Sequence, residues 1–114
     1  MNSDSPLACN MGVFTPAQRE SHIQTTMELI QAVLSVHGVE NGYELRFPNE
    51  TGLISRIADF ISNERSCCPF VKFTLHVVSN SEPVSLSAGL LRLSLTGPIG
   101  IQEFLRAEFN GAIQ

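Results

Sequence analysis

At Pro69 the hydrophobic pattern of this chain changes period, and the change restricts what the chain can fold into. Ahead of it, Leu53, Ile54, Ile57, Ala58 and Ile61 recur at the three- and four-residue spacing of an amphipathic helix, after turn chemistry from Pro48 to Gly52 with Thr51 as a cap. Proline disfavours helical geometry in the residue before it, so this helix is expected to end near Cys67. From Phe70 the pattern alternates: Phe73, Leu75 and Val77 oppose Lys72, Thr74 and His76. After a polar stretch from Ser79 to Pro83, a second alternating run passes through Leu91, Leu93 and Leu95. The two runs read as an antiparallel hairpin.

The same two periods organise the rest. Residues 1–6 read as a flexible N-terminus, and the apolar run from Leu7 to Phe14 as a first strand. Thr15-Pro16 supplies an N-cap and a first-turn proline for a helix from about Thr15 to Val36, with Ile23, Met27, Ile30 and Leu34 as its stripe and His37-Gly38 closing it. Asn41-Gly42 makes a turn into a strand in which Tyr43, Leu45 and Phe47 alternate with Glu44 and Arg46. Thr96-Gly97-Pro98 stops the last strand and starts a helix with Ile101, Phe104, Leu105 and Phe109 on one face, ended by Asn110-Gly111. The expected class is α+β: a small single-layer antiparallel or mixed sheet of about four strands with about three helices on one side. A ferredoxin-like split of βαβ units fits this order. Residues 7–114 are expected to form a single domain.

Charge narrows the partners. The net charge is −4 and Lys72 is the single lysine; Arg19, Arg46, Arg56, Arg65, Arg92 and Arg106 are scattered rather than clustered. No basic stripe results, so nucleic acid is not an expected partner. No window approaches the ~18 apolar residues of a spanning helix, and Met1 to Pro6 lacks the features of a signal peptide. The expectation is a cytoplasmic protein with no membrane partner, and the hydrophobic share of 43% is enough for folding without disulfides.

Three cysteines are an odd number, and a bridge between the adjacent Cys67 and Cys68 would need a strained ring. In a reducing compartment such thiols are packed core residues, soft-metal ligands or redox groups. Adjacent helical residues point ~100° apart. Cys68 therefore shares a face with Ile61 and Ile57, and Cys67 lies nearer Phe60 and Asn63, so one thiol is expected in the core and the other towards a cleft. The carboxyl end of a helix disfavours a thiolate, which Arg65 offsets only by folding back. Direct coordination removes this obstacle, because a bound Zn²⁺, Cu⁺ or heavier thiophilic ion deprotonates the thiol itself.

Cys9 would be the third sulfur if the first strand lies beside the exit of the second helix; His76 and His22 are the available nitrogen donors. There is no CxxC and no HxxxH. A Cys9 sulfur more than about 8 Å from both others would exclude a three-thiolate centre with bonds of ~2.3 Å. The bland readings are a buried cysteine pair, a helix-end role for His37, and a strand stop rather than an anion site at Thr96 to Gly100. Glu44 with Arg46, and Glu64 with Arg65, are largely explained by solvated faces.

The string Glu64-Arg-Ser-Cys-Cys-Pro-Phe70, with Asn41 to Pro48 before it and Leu95 to Gly100 and Glu103-Phe-Leu105 after it, resembles a family of small uncharacterised bacterial proteins with an ER-x-CCPF signature. The likeness runs from Cys9 to about Phe109. In that family a cysteine near the start goes with the double cysteine, so the resemblance nominates Cys9, Cys67 and Cys68 with Glu64 and Arg65 beside them. It brings no activity with it.

Three functional classes follow. A non-catalytic binding or interaction module, with a homodimer as one form, is ranked first. Soft-metal or metalloid binding through Cys9, Cys67 and Cys68 is the alternative, and a thiol-based redox enzyme the last. The enzyme reading requires an exposed thiol of lowered pKa.

Overall fold

Two hairpins joined by one long helix make the frame. In this computed structural model, which describes residues 7–78, 90–109 and 113, the elements are α1 (Pro16–Ala32), β1 (Ser35–Val39), β2 (Gly42–Phe47), α2 (Thr51–Cys67), β3 (Lys72–His76), β4 (Leu91–Thr96) and α3 (Ile101–Glu108). The strands form one antiparallel sheet in the order β1-β2-β4-β3. β2 and β3 are both antiparallel to β4, so they run parallel to each other with β4 between them and α2 as their crossover. This is a split βαβ unit, with β1 beside β2 at the far edge. The α+β class with four strands and three helices is thus as the sequence indicates.

Register decides which side is dry. Tyr43 faces Leu95, Leu45 faces Leu93 and Phe47 faces Leu91, while Phe73 and Leu75 of β3 pair with Leu95 and Leu93. Successive strand residues point to opposite faces, so these side chains share one surface. Leu53, Ile57 and Phe60 of α2, Ile101 and Leu105 of α3, and Phe109 complete the core. On the other face, Arg46 stands directly opposite Arg92, and Arg92 opposite His76. The Glu44 carboxylate, 2.7 Å from the Arg46 guanidinium, offsets part of that repulsion.

Thr15 caps α1 as its sequence signals: its hydroxyl accepts from Gln18 N–H, and the Gln18 side chain accepts from Thr15 N–H. Five other expectations need correction. Residues 7–14 make no strand; Asn10 caps a short 3-10 turn, Met11–Val13, and its N–H donates to the Cys67 carbonyl at 2.8 Å rather than to a ladder. α1 stops at Ala32, not Val36, because Val36 and Val39 suit an extended edge and the Asn41 turn at φ 62 folds Ser35–Val39 back onto β2.

The buried side of α1 carries His22 and Leu29, whereas Ile23, Met27 and Leu34 are exposed: the apolar stripe is displaced from the surface that packs on α2. On α2, Ala58 is exposed and Phe60 and Glu64 are buried, and the cap position is Glu50, with Thr51 the first helical residue. The polar stretch 79–83 and the Asn110-Gly111 stop lie outside the described residues.

Gly42 is where the sheet tolerates no side chain. A Cβ there would overlap the carbonyl oxygen of Leu95 on β4, and neither central strand can yield without breaking the ladder. Gly42→Ala is expected to cost ~1–3 kcal/mol, as overpacking does. Urea unfolding of the variant beside the parent measures it; an unchanged midpoint would contradict the close approach.

Candidate functional site

The stripe that α2 buries runs Leu53, Ile57, Phe60, Glu64, Cys67, at spacings of four, three, four and three. Its fourth member is a carboxylate only 1% exposed, at a position where the period calls for an apolar residue. From α1, His22, 3% exposed, brings its Nε2 to 2.7 Å from Glu64 Oε1. The imidazole is held between rings: it stacks on Phe60 at 5.7 Å and lies against Phe14 at 5.4 Å. Glu108, at the end of α3, is the second acidic member, half-buried near Cys9.

The sulfurs join from two directions. Cys67 ends α2 and Cys68 caps it, with the Cys68 N–H donating to the Glu64 carbonyl. The Asn10 to Cys67 backbone bond draws the N-terminal segment across the helix end, and Cys9 and Cys68 form a disulfide there. The chain is expected from its composition to fold without disulfides; instead Cys9 and Cys68 are bridged, and among the described residues only Cys67 is free, and it is buried. The expectation of one thiol in the core and one at a cleft also fails, because Cys67 and Cys68 are both buried and Cys9 is the sulfur on the cavity wall. The Cys67 sulfur lies 3.6 Å from that of Cys68, and the Cys68 sulfur 3.4 Å from Glu64 Oε2.

Burial governs the protons. It pushes Glu108 up to about 9, helped by its hydrogen bond to Glu64 and by the Glu64 charge, with His22 opposing. Glu64 is also raised by burial, against hydrogen bonds from Glu108 and Cys67. His22 is lowered by burial, with Glu108 opposing. A Glu108 that keeps its proton and donates it to Glu64, with a neutral His22 on the other side, follows the directions for Glu108 and His22. Burial, then the Glu64 and Glu108 charges, push the Cys67 thiol up to about 12. That thiol is no nucleophile at neutral pH, which weighs against the redox-enzyme reading.

Two atoms are left over: His22 Nδ1 and Glu108 Oε1 are buried with no hydrogen-bond partner among the described residues. Each such atom costs ~1–3 kcal/mol in an otherwise satisfied core. Both residues line a cavity of about 450 Å³ that also reaches Cys9 and Glu64.

A pH dependence follows for the metal-free protein. The native state keeps the Glu108 proton up to about 9, whereas an ordinary carboxyl releases it near 4.5. Between those values the native state holds more protons than the unfolded chain, so this group's contribution to stability is full below 4.5 and falls as pH rises towards 9. The slope is at most ~1.4 kcal/mol per pH unit for one proton. Glu108→Gln is expected to flatten it, read from urea midpoints at several pH values across this range; identical slopes would rule out Glu108 as the source.

Ligand atoms of three overlapping sets lie within 4.8 Å of one another: Cys9, Cys67 and Cys68; Cys9, Glu64, Cys68 and Glu108; and His22, Glu64 and Cys67. The first is the sequence-derived sulfur set, well inside the distance that would have excluded it. Two nominated residues stand elsewhere. His76 is exposed on the outer face of the sheet opposite Arg92, because its strand position alternates away from the core, and Arg65, about 100° round α2 from Glu64, is exposed. His37 is exposed on β1 rather than at a helix end, 3.2 Å from the Ser35 hydroxyl. Gly100, at φ 95, caps α3 as part of the turn that leaves β4.

Sequence reasoning underrated His22 and missed Glu108. Their signal was available: Glu108 follows Ile101, Phe104 and Leu105 on one helical face, and His22 precedes buried Leu29 by two turns. No helix among the described residues is long and apolar enough to cross a membrane. Comparison with protein-family models, with curated proteins and with solved structures finds no match to this chain.

Proposed function

We propose that the reduced protein binds one thiophilic metal or metalloid through Cys9, Cys67 and Cys68. The observation that carries this is the convergence of three sulfurs from two distant segments on a buried carboxylate–imidazole pair. Two sulfurs on one tetrahedral centre at ~2.3 Å stand ~3.8 Å apart. Cys67 and Cys68 stand at 3.6 Å, already close to that separation. A soft ion prefers thiolate and imidazole donors, and its charge replaces the protons that burial holds on Cys67 and Glu108. The carboxyl end of α2 adds a partial negative charge at the same place. Glu64, hydrogen-bonded by His22, is placed either to complete the coordination or to orient it. In this reading the Cys9–Cys68 disulfide is the oxidised form of the site, which must be reduced before three thiolates are available.

Native mass spectrometry of the reduced protein with Zn²⁺, Cu⁺, Cd²⁺ or Hg²⁺ tests this against a variant with Cys9, Cys67 and Cys68 replaced by serine. One ion per chain, retained against a chelator and lost in the variant, is the expected result. Equal uptake by the two proteins would sink the reading and return the cysteines to the core.

A second reading rests on Cys67 lying beside the bridge. Attack of a Cys67 thiolate on the Cys68 sulfur would form a Cys67–Cys68 bond and release Cys9 as thiolate, with no change in oxidation state overall. The proton retained by Cys67 to about 12 makes this slow at neutral pH.

A further inference from the structure

The cavity that Cys9 lines is too large and too apolar for a bare ion. A single water needs only ~10–15 Å³ of such space, whereas small-molecule sites occupy ~300–1,000 Å³. This one is about 450 Å³. Its polar members, Cys9, His22, Thr26, Glu64 and Glu108, accompany walls of Met11, Ile23, Met27, Ile30, Phe104 and Ala107. Ions that keep water ligands favour polar surroundings; apolar walls lose nothing when water leaves them. Ile23 and Met27 remain 46% and 51% exposed, which is surface that an apolar occupant would cover.

We infer that the ligand is a thiophilic metal or metalloid carrying an apolar organic group, with the sulfurs holding the inorganic centre and the cavity holding the substituent. This rests on the thiol-site reading and names its substrate class. A trivalent organoarsenical illustrates the chemistry. Phenylarsine oxide reacts with two thiols: the arsenic–oxygen bond is exchanged for two arsenic–sulfur bonds, the two thiol protons leave with the oxygen as one water, and nothing is oxidised or reduced. The phenyl group keeps the third position on arsenic. Inorganic arsenite, in contrast, engages three thiols and releases three waters, leaving the cavity unfilled.

The test compares phenylarsine oxide with arsenite on the reduced full chain, each titrated in competition with dithiothreitol, so that the intrinsic preference of a simple dithiol is divided out. The protein's preference for the phenyl compound is expected to exceed that of dithiothreitol by at least ~10-fold, since a buried ring contributes about 1.5–3 kcal/mol. Ala107→Phe, which fills the cavity from an exposed position, and Met27→Ser, which removes part of its wall, are expected to reduce that excess while arsenite binding stays unchanged. A ratio equal to that of dithiothreitol, or one indifferent to both substitutions, overturns the inference and leaves the thiol site standing. Failure of both arsenicals to bind better to the parent than to the cysteine-free variant overturns the thiol site as well.

Discussion

Cys67→Ser should weaken Cd²⁺ binding by the reduced protein by at least ~100-fold, since losing even an outer-shell partner of a metal ligand commonly costs 10–100-fold. Cys67 is the best placed of the three to show this cleanly. It is outside the disulfide, so its replacement leaves the oxidised form intact, and its buried position keeps solvent from substituting for the lost sulfur. Glu64→Gln should cost less, ~10–100-fold, because it alters the orientation and charge of the site without removing a sulfur. Arg65→Ala and His76→Ala, both exposed and outside every ligand set, should leave affinity unchanged. Competition against a chromophoric chelator gives the affinities, and circular dichroism checks that each variant folds. Wild-type affinity in folded Cys67→Ser would remove this thiol from the site.

Reducing the Cys9–Cys68 bridge without metal should lower stability by about 4 kcal/mol. The bridge spans 59 residues, and restricting the unfolded chain over that length is worth about this much in the entropy model. Adding a bound ion to the reduced protein should recover ~2.7 kcal/mol when free metal stands at 100 times its dissociation constant. Urea unfolding under three conditions reads both steps: oxidised, reduced, and reduced with Cd²⁺. Recovery absent from Cys67→Ser but present in the parent ties the second step to the sulfurs. If reduction leaves the midpoint unmoved, the bridge does not restrain the unfolded chain as the entropy model requires.

The α+β class and the strands β2, β3 and β4 were legible because Leu45 and Phe47, Phe73 and Leu75, and Leu91, Leu93 and Leu95 repeat at two, and α2 because Leu53 and Ile57 recur at four; β1 was not, its residues being read as the end of a helix. Cys67 and Cys68 stood out by rarity, as two adjacent cysteines at a helix exit, whereas Cys9 was nominated by the family resemblance; the structure brings the three sulfurs within 4.8 Å of one another. α1 was misjudged for a physical reason. Its Ile23 and Met27 outrank His22 on hydropathy, but the groove against α2 is lined by Glu64, which pairs with imidazole and not with a hydrocarbon. The partner on another helix, invisible in a local window, decided which face turned inward. Glu64 and Arg65 look alike as solvated charges in a string, yet one is sealed and the other open because a helix turns ~100° per residue.

The short backbone bond from Asn10 to the carbonyl of Cys67 has a consequence for the order of events in the life of the chain. The group assembled around it draws on residues 9, 22, 64, 67, 68 and 108, so its parts come from nearly the whole length of the polypeptide. Contacts this far apart in sequence form slowly and late. A ribosome-bound fragment lacking α3 has no Glu108 to offer and no closed wall beside Cys9. The three sulfurs themselves belong to residues 9, 67 and 68, so an unfolded chain exposes separate thiols, and only closure of the N-terminal segment over the end of α2 presents them together.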